Sequence, residues 1–180
     1  MKNTNKFSIN KLTSAALLTA VTIVLAQISV MTPWGVPFTL QTFAIALCGY
    51  VLGSKIGFVS VITYILMGVA GVPVFSNFRG GINVVFGLTG GFIFGFIPLV
   101  LLSGLAVKRR NAALKILLGF IGLVICHILG VIQFAFVTSS SITHSLILVS
   151  LPYLIKDLVS VFAAYYLSMS IRKIVPKLQQ

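Results

Sequence analysis

Asp157 is the only acidic side chain among 180 residues, and Lys156 stands directly before it in an otherwise apolar run. An ionisable group at bilayer depth costs about 2.5–3.5 kcal/mol even on gentle insertion scales, so such residues face cavities and mark solute or ion paths. A carboxylate offers only acceptors and an ammonium only donors, so the two together suit recognition of a small polar solute. They do not suit its cleavage. A catalytic carboxylate pair is impossible with one carboxylate, no GxSxG elbow is present, and no GxxxxGK[ST] loop exists to hold ATP. His127, His144, Cys48 and Cys126 are scattered without chelating intervals, so neither metal nor cofactor is expected and the thiols read as buried and free. The residues describe a binding or transport subunit that is not an enzyme and that relies on partners for any use of ATP.

The elements that position these groups are read from composition and charge. Hydrophobic residues make up 58% of the chain and charged residues 8%, against about 25% charged in a soluble domain. Mean hydropathy is +1.13. The net charge of +12 does not indicate nucleic acid, because the basic residues are separated by long apolar stretches instead of forming a continuous stripe. The chain reads as an all-α, polytopic membrane protein in the lipid bilayer, a single membrane domain over residues 1–180. Six transmembrane helices are expected at about 12–31, 41–52, 58–72, 91–107, 114–137 and 146–171. The second and third fall short of the roughly 20 residues that a span requires, and are expected to extend into flanking Gly and Pro or to line a cavity.

With both termini cytoplasmic, the inner side carries Lys2, Lys6, Lys11, Lys55, Lys108, Arg109, Arg110, Lys115, Arg172, Lys173 and Lys177. Only Arg79 and Lys156 remain outside, as the positive-inside rule requires of this topology.

Periodicity orders the site further. Tyr153, Asp157, Ser160 and Ala164 form one stripe of the last helix. Lys156 lies about 100° round from Asp157, which predicts that the pair do not neutralise each other but address two groups of a ligand. On the fifth helix Cys126, Gly130 and Gln133 share a face, and His127 is expected to point elsewhere as a packed or interfacial histidine and not as a ligand. The TPWGVP turn at residues 32–37 carries Trp34, read as an interfacial anchor or as a lid on a ligand site. Residues 71–90 are too irregular for one helix and must fold on protein or line a cavity, which brings Asn77, Arg79 and Asn83 into consideration. Small residues at four-residue spacing, Ala16 with Ala20, Gly49 with Gly53 and Gly57, and Gly87 with Gly91 and Gly95, predict close helix packing or a docking face.

VPFTLQTF at 36–43, GYVLGSKIG at 49–57, YILMGVAGVPVF at 64–75 and LTGGFIFGF at 88–96, with the late Pro152 and Asp157, resemble the BioY family, the biotin-binding S components of energy-coupling factor (ECF) transporters. The resemblance runs from about Leu12 to the end. It implies high-affinity capture of biotin at the outer face of a bacterial cell membrane. It also implies two kinds of partner, a transmembrane coupling protein docked on Ala16 and Ala20 and a pair of cytoplasmic ATPases. Biotin carries a carboxylate on an aliphatic tail and a ureido ring with two N–H donors and a carbonyl. The resemblance therefore places Lys156 or Arg79 on the carboxylate and Asp157 on the ureido N–H groups, with Asn77, Gln41 or Thr39 assisting. Gly90 and Gly91 would bring backbone close to the ligand, and Tyr153 and Phe75 would cover its apolar ring. The chain departs from the family pattern at Ser160, where many members have lysine, and at Leu88, where a proline usually precedes TGG. A proton-coupled secondary transporter of a small carboxylate solute is the alternative, although one acid makes a poor relay and no duplicated halves are visible.

Overall fold

Backbone polar groups in lipid have no partner but one another, which restricts a lipid-exposed chain to helices or a closed barrel. The computed structural model describes residues 9–174, and these are mostly helical. Helix α1 spans Ile9–Gln27, α2 Gln41–Val69, α3 Ile82–Val85, α4 Gly90–Ala106, α5 Ala112–Thr138, α6 Ile142–Val149 and α7 Leu151–Ile174. Helices α1, α2, α5 and α7 are long and apolar enough to cross a membrane, and α4 is a shorter apolar helix. Apolar side chains on their outer faces, among them Ile128, Ile132 and Phe136 of α5 and Ile155, Val159 and Phe162 of α7, are exposed, as a lipid-facing surface requires.

Helix α2 is folded back on itself. Gly53 leaves helical geometry at φ 75° and ψ 172°, a region essentially reserved for glycine. Gln41 Nε2 donates to Tyr64 Oη over 2.6 Å across 23 residues, a stretch that would be about 34 Å long in a straight helix. The Cys48 and Ser60 side chains also meet, at 3.8 Å. The expected pair of short helices thus becomes antiparallel arms 41–52 and 54–69, the second beginning four residues early because a single glycine makes the turn.

Two other boundaries move. The last expected helix is divided at Ser150 (φ −120°, ψ −58°) into α6 and α7, because Pro152 has no N–H to offer the Leu148 carbonyl. The first ends at Gln27 instead of Met31: Ser29 and Val30 form strand β1, which pairs antiparallel with β2, Phe38 and Thr39. Their hairpin is closed by the Gly35 N–H donating to the Thr32 carbonyl at 3.0 Å, with Pro33 at the second turn position, where its fixed φ is favoured.

The small residues set interhelical distance. A Cβ on Gly49 would fall 2.6 Å from the Val100 carbonyl oxygen, one on Gly91 2.1 Å from that of Leu129, and one on Gly95 2.5 Å from the Cys126 Cα. Helix α4 is thereby held between α2 and α5 at backbone contact. Arg172 Nη1 donates to the Tyr50 carbonyl at 3.1 Å and Tyr50 Oη to that of Lys115 at 3.1 Å, so the end of α7, the first arm of α2 and the start of α5 share one end of the bundle. Ser60 Oγ donates to the Ala15 carbonyl at 3.2 Å, which brings the N-terminal half of α1 to that end too. Lys55 lies at the start of the second arm of α2, and Lys108, Arg109 and Arg110 lie in the connection between α4 and α5. Lys2, Lys6 and Lys177 lie outside the described residues.

Candidate ligand-binding site

At the opposite end, Asp157 is 4% exposed and sits with Tyr153, Ser160 and Ala164 on the buried face of α7, so the expected stripe is the packed one. It borders a cavity of about 50 Å³ whose wall includes Thr39, Gln41, Phe75, Tyr153, Lys156 and Asp157 from the sequence reading. Val36, Pro37, Thr42, Ser76, Thr89, Phe92, Ile93 and Phe96 complete it.

The cover is the β1–β2 hairpin. Phe38 stacks on Tyr153 with ring centroids 4.0 Å apart and planes 10° from parallel. Trp34 Nε1 donates to Tyr153 Oη at 2.9 Å, and that hydroxyl donates to the Val36 carbonyl. Trp34 is therefore tied to the hydroxyl of a cavity-wall residue. Leu88 packs in the same apolar cluster as Val36 and Tyr153.

A second wall comes from the segment after α2. Gln27 Nε2 donates to the Val74 and Phe75 carbonyls, each at 3.2 Å, and its Oε1 accepts from the Phe78 N–H at 2.9 Å. One glutamine thus clamps the loop to the end of α1. The Phe75 ring lies where a side chain at Gly68 would stand, 2.1 Å from an added Cβ, and meets Tyr64 edge-on. At the lower edge Gln133 Nε2 holds the carbonyls of Val85 and Gly87 at 2.9 and 2.8 Å.

The acid itself is differently placed from expectation. Lys156 Nζ lies 2.5 Å from Asp157 Oδ1 and donates to the Thr39 carbonyl at 2.7 Å. The 100° between neighbours applies to the directions of their Cβ atoms, whereas four methylenes let the lysine head curl back along the helix. His127, expected to point away, places Nε2 3.3 Å from Asp157 Oδ2, and its Nδ1 lies 2.9 Å from Ser150 Oγ. Its ring is buried because α7 packs against that flank of α5. The carboxylate is therefore held by two protein groups and is not unsatisfied.

Four proposed contacts lie off the cavity wall. Asn77 is exposed, adopts a left-handed conformation and is turned to Ser29 and Met31. Gly90 and Gly91 sit in the first turn of α4 against Val85 and Leu129, where they serve helix packing. Arg79 stands behind the wall, its Nε donating to the carbonyl of wall residue Ser76 at 3.3 Å, its Nη2 buried without a hydrogen-bond partner. Conversely, the sequence reading missed Thr89, Phe92, Ile93 and Phe96 as wall residues, although offsets of three, four and seven from Thr89, the cap of α4, place them on one side of that helix.

The bundle and its covered cavity define a membrane protein built to enclose a small polar solute. The chain belongs to the BioY family, whose model matches residues 1–177. It is 39% identical over 166 residues to a biotin transporter BioY of Thermotoga maritima, covering 91% of this chain and 96% of that one. A probable biotin transporter BioY of Pyrococcus horikoshii is 38% identical over 150 residues, covering 83% and 88%. Biotin transporter BioY2 of Lactococcus lactis is 32% identical over 162 residues, covering 88% and 86%. The fold matches a crystal structure of the S-component for biotin from an ECF-type ABC transporter with a TM-score of 0.86 at 24% identity, covering 96% of this chain and 95% of that one. These relatives bear the names of transporters, not of enzymes.

Proposed function

We propose that this chain is the substrate-capturing S component of an ECF-type biotin uptake system in a bacterial cell membrane. The observation that carries this reading is the sole acidic side chain, buried beside a cation at the wall of a covered cavity in a member of the BioY family. Helices α1, α4, α5, α7 and the two arms of α2 make six passes with both termini cytoplasmic. Support comes from the gathering of basic residues at the end remote from Asp157.

The geometry favours one division of labour among the polar groups. Lys156 and Asp157 are 2.5 Å apart, too close to serve opposite ends of a ligand whose carboxylate stands on a long tail. Together they form a neutral donor and acceptor that match the adjacent carbonyl and N–H of a ureido group. Arg79, with a buried unpartnered nitrogen behind Ser76, is the cation for the carboxylate. Phe75, Phe92, Ile93 and Phe96 supply the apolar walls. Ala16 and Ala20 are exposed on α1, open to a coupling protein, and ATP is hydrolysed by the partner ATPases.

Calorimetric titration with biotin and with its methyl ester tests the reading. The acid binds tightly and the ester at least tenfold more weakly, since a charge-assisted hydrogen bond is worth about 1.5–3 kcal/mol. Arg79→Gln erases that difference, while Lys156→Met weakens both ligands alike. Absence of biotin binding refutes the function. Uptake by the isolated chain driven by a pH gradient would favour the secondary-transporter alternative instead.

A further inference from the structure

We infer that His127, backed by Ser150, is a positioning residue that fixes the plane of the Asp157 carboxylate and turns its free lone pairs to the cavity. The inference rests on the reading of Asp157 as the ligand's acceptor. A carboxylate has about four lone-pair sites. Lys156 Nζ takes one on Oδ1 at 2.5 Å and His127 Nε2 one on Oδ2 at 3.3 Å, leaving one on each oxygen.

The three residues stand in order from protein interior to cavity. Asp157 lines the cavity, whereas His127 and Ser150 do not; both are buried, at 5% and 4% exposure. A carboxylate only accepts, so the nitrogen facing it must carry a proton. Ser150 Oγ, 2.9 Å from Nδ1, is compatible with this, since its hydroxyl donates to an unprotonated Nδ1 and accepts from a protonated one, so the carboxylate and not the serine selects the tautomer. The imidazole therefore presents an N–H to Asp157 in either charge state. Its tilt is set by Phe92, edge-on at 5.8 Å, itself a wall residue.

The backing serine exists where it does because the chain breaks there. Ser150 lies between α6 and α7, and its carbonyl accepts from the Tyr153 and Leu154 N–H groups that begin α7. His127 belongs to α5, so one imidazole links the mouth of α7 to the neighbouring helix and removes the freedom of a carboxylate otherwise fixed only by a flexible lysine.

The test compares His127→Leu, His127→Gln and Ser150→Ala by biotin affinity and by the ¹³C signal of the Asp157 carboxyl, the only aspartate carboxyl that labelling can produce in this chain. His127→Leu, without a donor, binds biotin about tenfold more weakly, as expected for one lost charge-assisted hydrogen bond, and shifts the unliganded carboxyl signal. His127→Gln, whose amide N–H reaches about as far as Nε2, restores the signal and recovers affinity to within about threefold. Ser150→Ala, which leaves the imidazole in place, gives a smaller shift and loss of the same sign.

Affinity and signal unchanged in His127→Leu overturn the inference, as does a Gln variant no better than Leu. Should the Leu variant not fold, an unaltered signal and affinity in Ser150→Ala decide against it. A wild-type chain that ignores biotin refutes the proposed function, and the inference falls with it. A wild-type chain that binds biotin, weakened by Asp157→Asn but not by His127→Leu, refutes the inference alone.

Discussion

Replacing Asp157 by Asn separates what the carboxylate does for the fold from what it does for a ligand. In the folded chain it accepts from Lys156 and His127. An amide keeps one acceptor and turns an NH2 group toward the other donor. Breaking a fully buried ion pair from one side costs about 3–5 kcal/mol, and because the Lys156 side chain is 29% exposed and partly hydrated, about 2 kcal/mol of stability is expected here. Binding should fall by about 10- to 150-fold, the equivalent of about 1.5–3 kcal/mol for a hydrogen bond to a charged group. Adding Lys156→Met removes the orphaned cation and brings stability back to within about 1 kcal/mol of the parent, since apolar replacements of buried pairs are often neutral. It does not bring back affinity. Thermal unfolding in detergent and calorimetry with biotin read the two quantities separately. Asp157→Asn binding within threefold of the parent, or a double variant that regains affinity, would refute the reasoning.

Other expectations concern the cover, the hairpin and the outer face of α1. Tyr153→Phe keeps the stack on Phe38 but deprives Trp34 Nε1 of its partner and the Val36 carbonyl of one of its two donors, the Thr32 hydroxyl remaining, worth about 1–3 kcal/mol; stopped-flow release should show biotin leaving at least fivefold faster, and an unchanged rate would contradict the role given to the hairpin. Gly53→Ala meets no atom within 4 Å of the new Cβ, so the loss of about 1–3 kcal/mol expected from its backbone conformation is pure strain; an unaltered melting temperature would show that α2 does not need this turn. Ala16→Leu with Ala20→Leu, both exposed, should leave binding by the isolated chain intact and abolish ATP-driven uptake with the partner proteins. Unimpaired uptake would move the docking face elsewhere.

The stripe from Tyr153 to Ala164 was legible because periodicity reports which face of a helix is buried, and α7 buries that face. The Gly49, Gly91 and Gly95 contacts were legible for the same reason: small residues at helical spacing permit only close approach. The Lys156–Asp157 contact was not, because helical spacing gives the direction of Cβ and is silent on where a long side chain ends. His127 was missed because the flank of α5 that faces α7 is set by how the helices cross. The irregular stretch 71–90 announced itself through its glycines, but its seat depends on Gln27 and Gln133, whose partners lie dozens of residues away. The division at Ser150 did have a local signal in Pro152.

Magic-angle-spinning NMR on chain labelled with ¹³C at the aspartate side chain and saturated with biotin carrying ¹⁵N in its ureido ring addresses the central claim most directly. A dipolar coupling corresponding to less than about 4 Å between the Asp157 carboxyl carbon and a ureido nitrogen, the separation that an N–H···O hydrogen bond imposes, is the result predicted. Bound biotin with no such coupling would contradict the account.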